Sequence, residues 1–255
     1  VLLKDGYKTA FVGKWHLGYN EEQNPIHFGF DEFRGMLHGA VDYYSHVNTF
    51  GRFDWWHNND LVREEGYATH LITDHAEKLI NKCKEEPFFL FVSHLAIHFP
   101  WQTPDDEAHR EEGKKYRDVR GPLNRLGPHP PEESGETVRV MIEELDKSVG
   151  KIIAKLKAAG IDKNTFVLFL SDNGGIVKYR GGYSEISSNK PLRGAKGQLY
   201  EGGHRIPGIA WWPGKIEAES VTGEVAMTMD ILPTILNLAG IDVTKEETVN
   251  KIEGM

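Results

Sequence analysis

Thr9-Ala10-Phe11-Val12-Gly13-Lys14-Trp15-His16-Leu17-Gly18 passes directly from an apolar run to a polar one set between glycines. Thr9 to Val12 is short, continuous and apolar after Gly6, which predicts a buried strand. Lys14 and His16 stand two residues apart, so on an extended segment they share a face. The same layout recurs twice. Phe88 to Val92 is followed by Ser93-His94-Leu95-Ala96-Ile97-His98-Phe99-Pro100, and Thr165 to Leu170 by Ser171-Asp172-Asn173-Gly174-Gly175. Both read as buried strands. A fourth, Ile209 to Trp212, closes on Pro213-Gly214.

Helical spacing fills the intervals. Ala68 to Cys83 places Leu71, Ile72, Ala76, Leu79, Ile80 and Cys83 on one stripe, so Cys83 is expected to be buried. Val138 to Leu156 does so with Met141, Leu145, Val149, Ile152, Ile153 and Leu156, and Gly160 ends it. Asp230 reads as the N-cap of a helix over Ile231 to Leu238, with Pro233 tolerated in the first turn and Gly240 beyond its end. Leu2 and Leu3 read as the last turn of a helix capped by Gly6. Apolar strands alternating with helices predict an α/β domain whose mainly parallel sheet carries helices on both faces. Two long segments interrupt it. Residues 99–137 are rich in proline, glycine and charge, as in a lid or a disordered loop, and 50–66 reads as a surface segment.

The 255 residues are 39% hydrophobic and 27% charged, an ordinary globular balance. The longest aliphatic or aromatic runs are five residues, whereas a membrane span needs about 20. One cysteine excludes an internal disulfide and any multi-cysteine metal site. A net charge of −8 argues against a nucleic-acid partner.

In open α/β sheets, ligands bind beyond the carboxyl ends of the strands. Lys14, His16, His98, Asp172 and Asn173 are all expected at that edge. Asp172 and Asn173 are hard oxygen donors suited to Ca²⁺ or Mg²⁺, although an isolated Asp-Asn-Gly reads first as an Asx turn closing a strand. Lys14 and His16 could hold an anion and move a proton, while taken alone they read as a solvated Lys and a satisfied His. Between Lys190 and Pro207, glycines at 194, 197, 202 and 203 allow close backbone approach, and Arg193, Lys196 and Arg205 add positive charge. Cations beside a metal site suit a small oxyanion.

These segments resemble the sulfatase family of the alkaline-phosphatase-like superfamily. The resemblance rests on residues 6–18, Ala96-Ile97-His98-Phe99-Pro100, Ser171-Asp172-Asn173-Gly174 and Leu192 through Pro207. It extends to Asn24-Pro25, His27-Phe28-Gly29-Phe30-Asp31, Trp212-Pro213-Gly214 and Asp230-Ile231-Leu232-Pro233-Thr234. It implies the sulfatase fold and hydrolysis of aryl or carbohydrate sulfate monoesters. It implies that Asp172 and Asn173 ligate Ca²⁺, with Mg²⁺ possible, and that Lys14 and Lys196 bind sulfate oxygens. His16 matches the histidine beside the nucleophile, and His98 the one at the sulfate and leaving-group oxygen. Arg193 adds charge to that region. Gly39 to His46 resembles a segment of arylsulfatase A/B-like members, in which Tyr43 and His46 could touch the leaving group or simply pack. Trp101 could line the pocket mouth. His204 stands where the family often has an apolar residue, as a local variation or a substrate contact.

The family nucleophile is a formylglycine made from a Cys/Ser-x-Pro-x-Arg motif, and no such motif occurs here. Asn189-Lys190-Pro191-Leu192-Arg193 has the spacing but begins with Asn. In the family, that motif and an Asp pair of metal ligands lie N-terminal to Gly-Lys-Trp-His. Residues 1–255 are therefore expected to be the central and later part of a catalytic domain, with 241–255 leading toward a further C-terminal region. Alone they are expected to be inactive. The resemblance further implies a sulfated small molecule or saccharide as substrate, a formylglycine-generating or anaerobic maturase as partner, and a periplasmic or secreted location. A phosphodiesterase or phosphonate hydrolase of the same superfamily, and a non-catalytic sulfatase-like binding protein, are the alternatives.

Overall fold

The computed structural model describes residues 1–117, 121–184 and 186–242, so most of the expected C-terminal lead-out at 241–255 lies outside the described residues. Five strands form the larger sheet: β1 (Lys8–Lys14), β2 (Glu32–Met36), β3 (Trp56–His57), β4 (Asp60–Leu61) and β5 (Phe88–Ser93). Their order is β4-β3-β2-β1-β5. β1 lies at the heart of the parallel part, between β2 and β5. β3 and β4 add a short antiparallel edge. β6 (Val167–Leu170) and β7 (Gly208–Trp211) form a separate antiparallel pair. The parallel expectation therefore holds for the three strands around β1, and the whole is mixed.

β1 is apolar over Ala10-Phe11-Val12 because both its faces are covered there. Ala10 and Val12 enter the main core, where α1 (Ala68–Cys83) contributes Ile72 and Leu79. Phe11 turns the other way, into a cluster with Phe33 and Leu37. α2 (Ser134–Ala158) packs against α1 and adds Val138 and Met141 to the main core. α4 (Ile231–Leu238) sets Leu236 against Leu2, Tyr7 and Phe89, the β5 residue that alternates with core-facing Leu90 and Val92. Helices thus lie on both sides of the sheet. Gly6 and Gly160 have φ of 84° and 72°, the left-handed endings expected of them.

Several local expectations change. Phe91 is 47% and Ile209 61% exposed, so β5 and β7 are not fully buried strands. The cause is pairing on one side only: β5 bonds to β1, and β7 to β6. Cys83 is half-buried, being the last residue of α1. Residues 50–66 are not a surface segment throughout, since they supply β3, β4 and the fully buried Trp55. In 99–137, the described part packs down through buried Trp101, Gln102, Arg110, Tyr116 and Leu126, and α2 already begins at Ser134. The Asp230 carboxylate does not cap α4; it accepts from the Met227 N–H. No helix among the described residues is long and apolar enough to cross a membrane.

Candidate active site

Two glycines narrow the sheet where β1 ends. Gly13 pairs with Gly35 of β2 on one side and Ser93 of β5 on the other, with φ of 107° at Gly13. Lys14 leaves the strand at this point. His16 follows with φ of 61°, after its backbone N–H and that of Trp15 bond to Leu37 O and Met36 O. β5 ends beside it and carries the chain through Leu95 to His98. The His98 Nδ1 donates to Phe99 O at 2.8 Å, which leaves Nε2 as the free ring nitrogen. Beneath this turn, Tyr43 donates its hydroxyl to His98 O at 3.0 Å.

β6 ends on Ser171-Asp172-Asn173. Ser171 Oγ donates to Asn173 O at 2.9 Å, and Gly174 N–H to Gly203 O at 3.0 Å. The Lys196 loop is tied to this turn by its own N–H, which reaches Gly175 O at 3.2 Å. Asn189 braces both. Its Oδ1 accepts from Gly175 N–H at 2.9 Å, and its Nδ2 donates to Gly175 O at 2.9 Å and Gly194 O at 3.1 Å. The Asn at the head of the nucleophile-like spacing is thus a structural clamp.

The charges converge. Burial pushes Lys14 down to about 8, with Lys196 adding to the effect and Asp172 opposing it. Burial likewise lowers His16, helped by Lys14, Lys196 and His38, again against Asp172. His98 is pushed down to about 3 by burial and next by Lys14, against the Phe99 bond, with smaller lowering shares from Lys196 and His16. Lys14, His16, His98, Lys196 and Asp172 therefore share one field, although they come from three strand ends and a loop. Two lysines and a neutral imidazole within one field are the groups an oxyanion cradle needs.

The chemistry of Asp172 and Asn173 fits a hard cation. The exposed Asp172 carboxylate makes no hydrogen bond among the described residues, and Asn173 donates its Nδ2 to Gly174 O, freeing the amide oxygen. Two oxygens are only part of a Ca²⁺ shell, which takes six to eight. Among the described residues, no cluster of three or more metal-ligating acidic, histidine or cysteine side chains completes it.

The chain belongs with a known group on this evidence. The sulfatase family model matches residues 1–241. The chain is a member of the sulfatase family. This sulfatase chain is 34% identical to the N-acetylgalactosamine-6-sulfatase of Mus musculus over 266 aligned positions, covering 99% of itself and 46% of that protein. It is 30% identical to the Arylsulfatase J of Mus musculus, covering 92% of itself and 37% of the relative. The chain thus spans about half or less of the curated relatives it matches. The crystal structure of Ps i-CgsB in complex with k-i-k-neocarrahexaose superposes with a TM-score of 0.79 at 27% identity, over 100% of this chain and 55% of that one. The α/β sulfatase fold follows.

The other sequence candidates of this sulfatase chain are held in contacts of their own. Tyr43 is fully buried, stacked on Tyr67 at 5.0 Å, and supports His98 from behind instead of facing a ligand. His46 is 1% exposed and stacks on Trp55 at 4.3 Å, a packing position. Trp101 is 3% exposed and packs on Tyr183, so it does not line a mouth. Arg193 turns onto Tyr200, its guanidinium 3.7 Å from the ring centre. His204 ends the short helix α3 (Glu201–His204), with Nε2 3.2 Å from Leu199 O. Sequence reading missed His38 and Asp54, whose pairing lies beside His16. The only signal was the spacing of a histidine directly before Gly39.

Proposed function

We propose that the protein, in its whole form, hydrolyses sulfate monoesters, with a saccharide as the alcohol. The convergence of Lys14, Lys196, His98 and Asp172 on one sheet edge carries this reading. Lys14 and Lys196 hold the sulfate oxygens, placing positive charge where negative charge is shared in the transition state. An anion between the two lysines offsets the repulsion that depresses His98 and raises its proton affinity. His98 Nε2 can then hold a proton near the ester oxygen as the alcohol leaves. His16 sits on the nucleophile side of the cradle. Asp172 and Asn173 would hold Ca²⁺, or Mg²⁺, and the ion would supply charge stabilisation and help ionise the nucleophile.

The nucleophile in this reading is a formylglycine from a Cys/Ser-x-Pro-x-Arg motif outside these 255 residues, installed by a formylglycine-generating or anaerobic maturase. Residues 1–255 alone would then release no sulfate and bind Ca²⁺ weakly. The saccharide preference is supported by the names of the relatives, which include an N-acetylgalactosamine-6-sulfatase. A periplasmic or secreted location belongs to the same reading. The test is sulfate release from aryl and sugar sulfates by the chain joined to its motif-bearing segment. Activity lost in Lys196→Ala and His98→Ala, and lost to a chelator and restored by Ca²⁺, is the expected result. No release by the complete protein would overturn it.

A further inference from the structure

Asp54 is 3% exposed yet has four hydrogen-bond donors. Leu37 N–H and Trp56 Nε1–H reach Oδ1 at 3.0 and 2.7 Å, and His38 N–H and Nδ1–H reach Oδ2 at 2.9 and 3.0 Å. Burial would raise this carboxyl, but the His38 ring and the two backbone N–H groups outweigh it and hold it below its ordinary value. An ionised carboxylate only accepts, so the ring proton of His38 sits on Nδ1. Asn48 Nδ2, 3.2 Å from the same Nδ1, is then a contact and not a donor to it. Nε2 makes no hydrogen bond among the described residues, and the side chain is 15% exposed.

The surroundings of that nitrogen are aromatic and open. Tyr19 stacks on the His38 ring at 4.2 Å and lies 6.2 Å from the His16 ring. Phe50 meets His38 edge-on at 5.7 Å. Tyr19 and Phe50 are each 51% exposed, and the Tyr19 hydroxyl makes no hydrogen bond among the described residues. The next residue after His38, Gly39, lies against the His16 ring. A fixed imidazole, a free phenol and an exposed phenyl ring thus border the oxyanion cradle. Neither sulfate nor a metal needs such a set. A sugar ring does, because it offers hydroxyls to polar groups and a C–H face to an aromatic one.

We propose that Tyr19, His38 and Phe50 form the subsite for the leaving saccharide, with His38 as its specificity-determining contact and Asp54 as the residue that positions it. This rests on the reading of the cradle as a sulfate site. His38 Nε2 accepts from a sugar hydroxyl, Tyr19 adds a second polar contact, and Phe50 supplies the apolar ledge.

The test uses the complete protein, with 4-nitrophenyl sulfate as a sugar-free substrate and monosulfated galactose and N-acetylgalactosamine as sugar substrates. His38→Ala should lower kcat/KM on the best sugar sulfate about tenfold or more, mainly through KM, and change the nitrophenyl ester less than about threefold. Asp54→Asn should raise the sugar KM as well, and His38→Gln should recover part of the loss. Phe50→Ala, a change at an exposed residue, tests the subsite even where His38→Ala fails to fold. Equal losses on both substrate classes, or no loss on either, overturn the subsite, as does a parent that cleaves the nitrophenyl ester but no sugar sulfate. A parent that cleaves neither overturns the sulfate reading and the subsite with it.

Discussion

A side chain on Gly39 would collide with His16. A Cβ built at Gly39 would lie 2.8 Å from His16 Cδ2 and closer still to Nε2. The obstacle is the far end of a side chain, so the fold can survive a methyl group there while the imidazole moves. Gly39→Ala should therefore keep its melting temperature within a few degrees. On the proposed reading of His16 as a catalytic group, it should lose about 100-fold in kcat/KM in the complete protein. Activity that stays within twofold would show that the ring position is unimportant.

Gly13 gives the opposite case. Its Cβ would meet the Ser93 backbone, 2.7 Å from the carbonyl carbon, at a φ of 107° that side chains rarely adopt. Gly35 faces Gly13 in the same way, at 2.7 Å from its carbonyl carbon. Backbone cannot rotate aside as a ring can. Gly13→Ala should therefore cost at least about 2 kcal/mol in unfolding free energy. Urea unfolding monitored by circular dichroism measures it, and a cost under about 0.5 kcal/mol would contradict the packing.

The two glycines also mark what a sequence can and cannot reveal. β1 and α1 were legible because each carries its period over a continuous run, and α1 spans Ala68–Cys83 as the spacing predicts. β2 was not legible: Glu32-Phe33-Arg34-Gly35-Met36 is short and interrupted by charge, and takes its place by pairing with β1. The ionisable residues at the strand ends were legible because strand direction alone fixes which edge they reach. Tyr43, His46 and Trp101 were not separable from ligand contacts, since aromatic and imidazole side chains serve core and pocket equally well. The Asp54–His38 pair and the Asn189 clamp depend on how loops return, which no local pattern encodes.

Lys14 should titrate under the influence of Lys196. Lys14 sits at about 8 because burial, and next Lys196, disfavour its charge. It loses that charge as pH rises through about 8, so affinity for a sulfate or vanadate anion should fall over the same range. Lys196→Ala removes one repulsion and should move the Lys14 midpoint up. Asp172→Asn removes the attraction and should move it down. Titration of ¹³C-methylated lysines by NMR reads both shifts. A Lys14 midpoint near 10.5 in the parent, unmoved in Lys196→Ala, would disprove the coupling.

Acid should unfold the protein through its buried neutral histidines. Burial pushes His46 down to about 4, against the nearby Asp42 and Glu64, and pushes His94 to about 4 with no opposing group. A Gly66 backbone group also opposes the shift at His46, and among the described residues Nδ1 of His94 has no hydrogen-bond partner. The bonds of His94 fix its tautomer. Thr73 gives its hydroxyl proton to Thr69 O at 2.7 Å, so Ser148 donates to Thr73 at 2.5 Å and His94 Nε2–H donates to Ser148 at 2.9 Å. A second proton on Nδ1 would be buried with nothing to receive it. Between the folded value near 4 and the ordinary 6.5, the unfolded chain binds protons that the folded chain refuses. Stability therefore falls as pH drops through that window, by up to about 1.4 kcal/mol per pH unit for each such histidine. Above about pH 7 the effect vanishes. His94→Gln retains an N–H for Ser148 and cannot take up a proton, so it should flatten the acid limb of a melting-temperature profile between pH 6.5 and 4.5. An unchanged slope in His94→Gln would show that acid acts elsewhere.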